Sequence, residues 1–362
     1  MAPNQADAPL RIAMLAPPWI RVPAPAYGGI EEVVRLLCEG LVERGHAVTL
    51  FAAPESQSAA DVHVVLDAEH PDEIQKAQFE ADHVARAFAE IDRDSGFDVV
   101  HDHTGHVALS MADRIAAPFV HTLHGPFDAA ASSFYAEHGS KALLVALSEH
   151  QRSQAPVQAG EIAVVPNPLR VEEWPFRADK EDFVAWVGRM SPDKGPHRAI
   201  AAARAAGVPL VLAGPVQPGQ EEYFAREVEP QIDGDAVRYP GEADAEAKRD
   251  LYAAARALLM PIRWPEPFGL VMVEAMACGT PVIAYPEGAA PELVLDGETG
   301  FLVDGEDEMA AAIGRLDEID PRRCRSATEA RFGVDAVTRG YEEVYRRAAA
   351  PPADASAARS IV

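Results

Sequence analysis

Residues Trp264–Pro281 read WPEPFGLVMVEAMACGTP and predict a turn, an apolar helix and the approach to a buried strand. Pro267 suits the first turn of a helix, because the N–H that proline lacks would have no partner there. We expect the helix to run from Phe268 to Cys278 and to end at Gly279, which tolerates a left-handed C-terminal cap. The run PVIA that follows, at 281–284, predicts a buried strand. The stretch is therefore a helix–strand step of an α/β domain.

The start of this helix has the features of a ligand site. The free N–H groups of Phe268, Gly269 and Leu270 would lie at a helix N-terminus, which attracts phosphate through its unpaired donors and its dipole. Two carboxylates are near it, Glu266 before the helix and Glu274 two turns into it. A bare phosphate would not favour both, whereas a carboxylate can accept hydrogen bonds from both hydroxyls of a vicinal diol. The pattern favours a sugar beside a phosphate; the alternative is an ordinary packed helix.

The composition is that of a globular protein. At 362 residues, with 48% hydrophobic residues, the chain is long enough for two domains, each with its own core. A net charge of −25 argues against nucleic acid or an anionic membrane surface as a partner. The longest apolar run, 142–147, is too short to span a bilayer, and no signal-peptide pattern is visible. Three distant cysteines, Cys38, Cys278 and Cys324, favour a reducing cytoplasm over a cysteine-based metal site.

The alternation of strand and helix patterns predicts the α/β fold class, with two Rossmann-like, doubly wound domains of parallel strands. The turn Pro166-Asn167-Pro168 interrupts all periodicity, so the expected domains are residues 1–167 and 168–333. A last helix, over 334–349, has no strand after it. Continuous helices are also expected over 72–92 and 223–232.

Two loops that follow predicted strands could bind an anionic ligand. Gly28-Gly29 precedes the first helix; it is not the dinucleotide fingerprint G-x-G-x-x-G, but paired glycines let backbone approach a ligand closely. The loop GRMSPDKG, at 188–195, carries Arg189 and Lys194. Both residue types bind phosphate, and ligands of open α/β sheets bind at the carboxyl ends of strands. Taken alone, such charges are usually solvated.

A group of histidines lies close together in sequence: His101, His103, His106, His121 and His124. A metal site is one interpretation, since alternating histidines on a strand project to one side. The signal is weak without a carboxylate or cysteine framework, so we expect His101 and His121 to end adjacent strands and His103 to lie in the cleft. Asp92-Arg93-Asp94 imitates a D-x-D metal motif but lies at a helix end, and we discount it.

Together these motifs resemble the family 4 glycosyltransferases, retaining enzymes of the GT-B architecture. The YGGIEEVV segment and the HDH turn are particularly similar to actinobacterial members that decorate small molecules. The resemblance covers most of the chain and rests on the E-x7-E pattern with Pro-Phe-Gly after its first Glu, and on Gly28, Gly29, His124, Arg189, Lys194 and the closing Tyr341-x3-Tyr345 helix.

The resemblance implies a nucleotide-sugar donor, of the UDP or GDP type. Arg189 and Lys194 would hold its diphosphate. They would be helped by the backbone of Phe268, Gly269 and Leu270 and by the Gly28-Gly29 pair. The closing helix, 334–349, would pack back on the first domain.

The resemblance also assigns the two glutamates and one histidine. Glu274 would bind the ribose diol. Glu266 would bind the sugar hydroxyls and His124 would contact the sugar from the other domain, so these two are the predicted catalytic residues.

The implied activity is transfer of a sugar from a nucleoside-diphosphate sugar to a small soluble acceptor with a hydroxyl group. The family route is same-face attack through an oxocarbenium-like state, without a covalent intermediate. No metal ion or further cofactor is expected, because Arg189, Lys194 and a helix N-terminus already supply positive potential. The alternatives are a GT-B nucleotide-sugar epimerase, a sucrose- or glycogen-type synthase, and a non-catalytic nucleotide-sugar-binding protein.

Overall fold

The computed structural model describes residues 8–25, 28–74 and 76–350. The chain forms two compact units. The first contains the residues up to Leu147, then Gln154–Val165, and those from Val337 onward. The second contains Ser148–Ser153 and Pro166–Ala336. The chain thus leaves the first unit after Val165 rather than after Asn167, and a short segment before that point belongs to the second unit.

The first unit is built on a seven-stranded parallel sheet with the order β3-β2-β1-β4-β5-β6-β7. Its strands are β1 Arg11–Leu15, β2 Ala47–Ala52, β3 Asp61–Val64, β4 Val99–Asp102, β5 Phe119–Thr122, β6 Leu143–Ala146 and β7 Ile162–Val164. Its helices up to β6 are α1 Gly29–Glu43, α2 Ala77–Arg93, α3 His106–Ser110 and α4 Ala129–His138. The central strands are almost fully buried, as expected for a parallel sheet covered on both faces.

The second unit is built on a six-stranded parallel sheet with the order β10-β9-β8-β11-β12-β13. Its strands are β8 Val184–Val187, β9 Leu210–Ala213, β10 Val237–Arg238, β11 Leu258–Met260, β12 Val282–Ala284 and β13 Gly300–Leu302. Its helices are α5 Glu149–Ser153, α6 Pro196–Ala206, α7 Glu221–Tyr223, α8 Ala245–Ala254, α9 Leu270–Ala277, α10 Ala290–Leu293, α11 Glu306–Ile313 and α12 Pro321–Phe332. Two doubly wound parallel sheets confirm the predicted fold class.

The last helix, α13, spans Val334–Ala349, and most of it belongs to the first unit. Its apolar stripe of Val337, Tyr341, Val344 and Tyr345 lies in one core cluster with residues of β1, β2 and α1. Space for the helix backbone is tight, because a Cβ added at Gly340 would lie 3.2 Å from a methyl group of Val165. The stripe visible in the sequence is therefore the packing face of this helix.

Two of the expected continuous helices are broken. In place of 72–92, a short 3-10 turn at Pro71–Glu73 precedes α2, which begins only at Ala77. Ile74 between them is exposed, so no core contact stabilises an earlier start. In place of 223–232, α7 is followed by a π turn and a 3-10 turn that contains Pro230, a residue without the N–H that a continuing helix needs.

Candidate functional site

The sheet of the second unit reverses its strand order between β8 and β11, and ligands of such sheets bind at the carboxyl ends of the strands beside that point. The loop after β8 contains Arg189 and Lys194, and the loop after β11 contains Glu266. The fold therefore brings together two loops that are about seventy residues apart in the sequence. Such long separations are typical of parallel sheets, because neighbouring parallel strands are joined by long crossover connections.

Lys194 and Glu266 form a direct ion pair in this site. The Lys194 ammonium group donates to Glu266 Oε2, and both side chains are mostly buried, with 14% and 13% of their surface exposed. The Trp264 indole N–H donates to the same oxygen at 3.0 Å, and Lys194 Nζ lies 4.3 Å from the centre of the Trp264 ring. Lys194, predicted to bind phosphate, and Glu266, predicted to bind the sugar, thus neutralise each other's charge.

The helix beside this pair begins later than predicted. Gly269 is its N-cap, with a left-handed φ of 94°, so α9 starts at Leu270 and not at Phe268. The Phe268 N–H thus lies just before the first helical turn, and the Phe268 side chain is buried. The prediction that the helix starts at Phe268 was therefore wrong by two residues, while the N–H groups of Phe268, Gly269 and Leu270 stay predicted donors to phosphate.

Glu274 is buried on α9 with only one oxygen paired. Its side chain is 9% exposed, and its Oε1 accepts from Lys248 Nζ of α8 at 2.9 Å. Its Oε2 is buried without a hydrogen-bond partner among the described residues. Since an unpaired buried carboxylate oxygen is unfavourable, this atom is available to a hydroxyl donor from a ligand.

Glycine at position 288 lets the loop after β12 support Glu266. Gly288 has a φ of +58°, and a Cβ there would lie 2.4 Å from the backbone nitrogen of Glu266. The neighbouring Ala289 N–H donates to the Glu266 carbonyl at 2.9 Å. The Glu266 backbone is therefore fixed from a loop that the sequence motif does not include.

Arg189 is placed differently from Lys194. Its guanidinium donates to Gln217 Oε1 at 3.3 Å, and the side chain is partly exposed. A neutral, long hydrogen bond of this kind is easily exchanged for a charged one to phosphate.

In the first unit, His103 follows β4, a strand beside the reversal point of that sheet, and His124 follows the neighbouring strand β5. His103 Nδ1 lies 2.9 Å from His124 Nε2, and His103 Nε2 lies 3.4 Å from His101 Nδ1. The Tyr345 hydroxyl of α13 lies 2.8 Å from His101 Nδ1. His124, the predicted catalytic histidine, is thus connected to the last helix through two buried imidazoles.

His121 belongs to a separate buried cluster. Its Nδ1 lies 2.6 Å from Asp102 Oδ2 and its Nε2 lies 3.1 Å from the Tyr135 hydroxyl. The other Asp102 oxygen accepts from the backbone and hydroxyl of Thr104. Among the described residues, no three or more His, Cys, Asp or Glu side chains are grouped so that they could hold a metal ion. The histidines bind one another, Asp102 and tyrosines, as in a satisfied polar core.

Burial governs the protonation of these histidines. It lowers the pKa of His83, on α2, to about 4 and that of His124 to about 3, and it lowers the pKa of His101 and His103 well below the usual value. For His101, His103 and His124, neighbouring histidines lower the pKa further. These imidazoles are therefore neutral at physiological pH.

We expect acid to destabilise the fold through these groups. Their folded pKa values lie below the unfolded value of about 6.5, so the unfolded chain binds more protons as the pH falls below 6.5. Each should cost roughly 1.4 kcal/mol of unfolding free energy per pH unit, down to the folded pKa. Urea unfolding at several pH values from 7 to 4.5 measures this. His83→Leu should reduce the slope, whereas replacing the half-exposed His63 by Gln should not; equal slopes in all three proteins would contradict the assignment.

Gly28 and Gly29 lie at the start of α1, and Tyr27 before them lies outside the described residues. A Cβ at Gly28 would lie 2.2 Å from that of Ala24 and 2.8 Å from Glu31 Oε2, so close packing accounts for this glycine. Burial raises the pKa of the Glu31 carboxyl at the same helix end. The role of this pair in donor binding stays a prediction.

The sequence motifs missed three residues that contact the two predicted glutamates: Trp264, Lys248 and Gly288. Trp264 lies inside the motif stretch and could have been found as the aromatic residue two positions before Glu266. Lys248 and Gly288 come from α8 and from the loop after β12, and no local pattern links them to the glutamates they support.

Comparisons with known proteins agree with this architecture. A model of Glycosyltransferase Family 4 matches residues 27–173, and one of Glycosyl transferases group 1 matches residues 172–331. A D-inositol 3-phosphate glycosyltransferase of Frankia alni is 31% identical over 310 residues, which cover 71% of this chain and 76% of that protein. The sequence therefore matches along both units.

Two solved structures are similar over nearly the whole chain. AviGT4, a glycosyltransferase involved in avilamycin A biosynthesis, is 28% identical with a TM-score of 0.71, and the match covers 95% of this chain and 99% of that one. Anabaena HepE in complex with UDP and glucose has a TM-score of 0.72 at 22% identity, over 93% of this chain and 100% of that one. The second likeness concerns the fold alone.

Proposed function

Because the chain belongs to the family 4 glycosyltransferases, we propose that it uses a nucleoside-diphosphate sugar and retains the configuration at the anomeric carbon of the transferred sugar. The observation that carries the proposal is the meeting of Lys194 and Glu266 beside the start of α9, at the reversal point of the second sheet. A cation, a carboxylate and a helix N-terminus side by side suit a diphosphate joined to a polyhydroxylated ring.

The described side chains divide the work as follows. Lys194 and Arg189 stabilise the negative charge that develops on the departing nucleoside diphosphate, together with the N–H groups at the start of α9. Glu266, once Lys194 turns to the diphosphate, accepts hydrogen bonds from the sugar hydroxyls. Glu274 accepts from the ribose through its unpaired Oε2.

His124 would act in its neutral form, because its pKa lies far below physiological pH. One nitrogen is engaged by His103, so the other is available to the sugar of the donor. A neutral imidazole offers a hydrogen bond without adding charge beside an oxocarbenium-like carbon, where a cation would be unfavourable.

A panel of UDP-, GDP- and other nucleotide sugars, screened first by thermal shift and then by nucleotide release, tests the donor class. NMR of the product anomeric proton then decides between retention and inversion. An isomerised nucleotide sugar without acceptor would indicate an epimerase, and binding without turnover would indicate a non-catalytic binding protein.

For the acceptor, we propose a small soluble molecule with a free hydroxyl group. An inositol phosphate is a second candidate, since the Frankia relative carries that substrate in its name. The described loops after β1, β4 and β5 contain one Arg or Lys, Arg21, and it already pairs with Glu55. Because burial lowers the pKa of His103 and His124 in these loops far enough to keep both neutral, the loops favour an uncharged acceptor. Rates with myo-inositol, its 3-phosphate and neutral sugars, measured side by side, decide between them.

No divalent metal ion should be needed, because Lys194, Arg189 and the start of α9 supply positive charge to the diphosphate. We expect the purified enzyme to keep its transfer rate when EDTA removes divalent metal ions. The measurement is nucleotide release with and without chelator. Loss of activity that Mg²⁺ or Mn²⁺ restores would contradict this prediction.

The protein should not bind anionic membranes. Within the described residues, no helix is long and apolar enough to cross a bilayer. Each basic residue near an anionic surface contributes about 1 kcal/mol of attraction, and a chain with a net charge of −25 is repelled instead. We expect the protein to stay at the bottom of a gradient when phosphatidylserine vesicles float at physiological salt; co-flotation would argue for a lipid acceptor.

We also propose a cytoplasmic location, which suits its three free, buried cysteines.

A further inference from the structure

Trp264 touches both of the charged groups that the proposed donor site depends on. Its indole N–H donates to Glu266 Oε2 at 3.0 Å, and its ring lies under the Lys194 ammonium group, 4.3 Å from ring centre to Nζ. We infer that Trp264 is a positioning residue of the donor site, one that keeps Glu266 in place when the donor diphosphate takes Lys194 away from it. This inference rests on the proposed function of the site.

The need for such a residue follows from the ion pair. Glu266 and Lys194 are both mostly buried, and a buried carboxylate that loses its ammonium partner is strongly destabilised. A diphosphate that binds Lys194 removes that partner. The indole N–H is a neutral donor that does not compete for phosphate, so its bond to Glu266 persists.

The geometry leaves one carboxylate oxygen for the substrate. Lys194 and Trp264 both use Glu266 Oε2. Oε1 is therefore the atom that can accept from a sugar hydroxyl, and the indole holds the carboxylate so that Oε1 keeps its direction. The backbone supports this arrangement, because the Glu266 N–H donates to the Trp264 carbonyl at 2.8 Å in a tight turn around Pro265.

Tryptophan suits both contacts in a way that other residues do not. Its ring face attracts a cation more strongly than that of Phe or Tyr, and its N–H lies at the ring edge, where the carboxylate is. Phenylalanine keeps the face and loses the donor; leucine loses both. These two replacements therefore separate the contact to Lys194 from the contact to Glu266.

The first experiment needs no substrate. The chain contains four tryptophans, so a protein labelled with [15N]tryptophan gives at most four indole N–H signals by NMR. Trp264→Phe assigns the signal of interest. Glu266→Gln should shift that signal, while the Trp186 signal should stay in place, because the Trp186 indole bonds the Lys194 backbone carbonyl. No shift of the Trp264 signal would overturn the hydrogen bond and with it the inference.

The second experiment uses UDP or GDP, whichever binds, and the matching nucleotide sugar. Trp264→Phe should lower kcat about tenfold or more while the Kd of the free nucleotide changes little, since the loss of a bond to a charged group slows turnover by this amount. Trp264→Leu should also weaken nucleotide binding. A merely structural role would lower the melting temperature and impair both quantities in both variants, which would overturn the inference.

Phe176→Leu is the control. The Phe176 side chain is exposed on the second unit and belongs to no part of the proposed site, so its loss should leave kcat and Kd unchanged. If no nucleotide binds the wild-type protein, the proposed function fails, while the NMR experiment still decides whether Trp264 holds Glu266.

Discussion

Replacing Glu274 by alanine should weaken binding of a free nucleoside diphosphate by about ten- to hundredfold, the range expected for the loss of a buried hydrogen bond to a charged group. The side chain is buried on α9, with Oε1 paired to Lys248 and Oε2 without a protein partner. If Oε2 accepts from the ribose, its removal affects the nucleotide itself and not only the sugar. The donor and the free nucleotide should therefore lose similar amounts of binding free energy.

Isothermal titration calorimetry with UDP and GDP measures this effect. Glu298→Ala is the control from the same unit, because Glu298 is exposed in an ion pair with Arg323, and such pairs contribute about 0–1 kcal/mol. Its nucleotide affinity should equal that of the wild type. Unchanged affinity in Glu274→Ala would place the ribose elsewhere.

Replacing Glu266 by alanine should instead lower turnover by about ten- to hundredfold and leave nucleotide binding intact. In the proposed function, Glu266 would make hydrogen bonds to the sugar that are needed while charge develops at the anomeric carbon. The ion pair adds a further expectation: without Glu266, Lys194 has no carboxylate to leave, so a free nucleoside diphosphate should bind as tightly as before or more tightly.

Steady-state rates and calorimetry on the same Glu266→Ala preparation separate the two effects. Lys194→Met is the informative partner variant, because it should weaken nucleotide binding, and the double variant should not be additive for two residues in contact. Loss of nucleotide binding in Glu266→Ala, with retention in Glu274→Ala, would mean that the two roles are reversed.

The pattern of the sequence was sufficient for the fold because parallel sheets bury whole strands. Apolar runs such as VVH at 99–101 and VIA at 282–284 are recognisable as buried strands from their composition alone. Their alternation with helices then predicts a doubly wound topology. Helix α12 was not predicted, because its sequence, PRRCRSATEARF, is mostly polar and lacks a clear apolar face. It is held by a cap from Asp320 and by Arg325, which donates to the Ala277 carbonyl at 2.7 Å.

The site could be predicted only where its residues share a local motif. Glu266 and Glu274 lie in one stretch, and the family that this stretch indicated was confirmed, whereas the roles of the two glutamates stay predictions. Their partners depend on tertiary structure: Lys248 reaches Glu274 from another helix, and Gly288 supports Glu266 from another loop. The start of α9 shifted because Gly269 adopts a left-handed conformation, a choice that glycine permits but does not require.

The segment Ser148–Ser153 has a consequence for attempts to exchange sugar-donor specificity between relatives. Ser148 donates to the Pro267 carbonyl at 2.8 Å, and Glu292 accepts from the backbone N–H groups of Glu149 and His150. A chimera joined only near Val165 would replace Pro267 and Glu292 while keeping a foreign segment against them. Because the second unit consists of two chain segments, each with two ends, a graft that preserves these bonds needs four junctions. Chimeras that carry residues 148–153 together with 166–336 should therefore fold where single-junction chimeras fail.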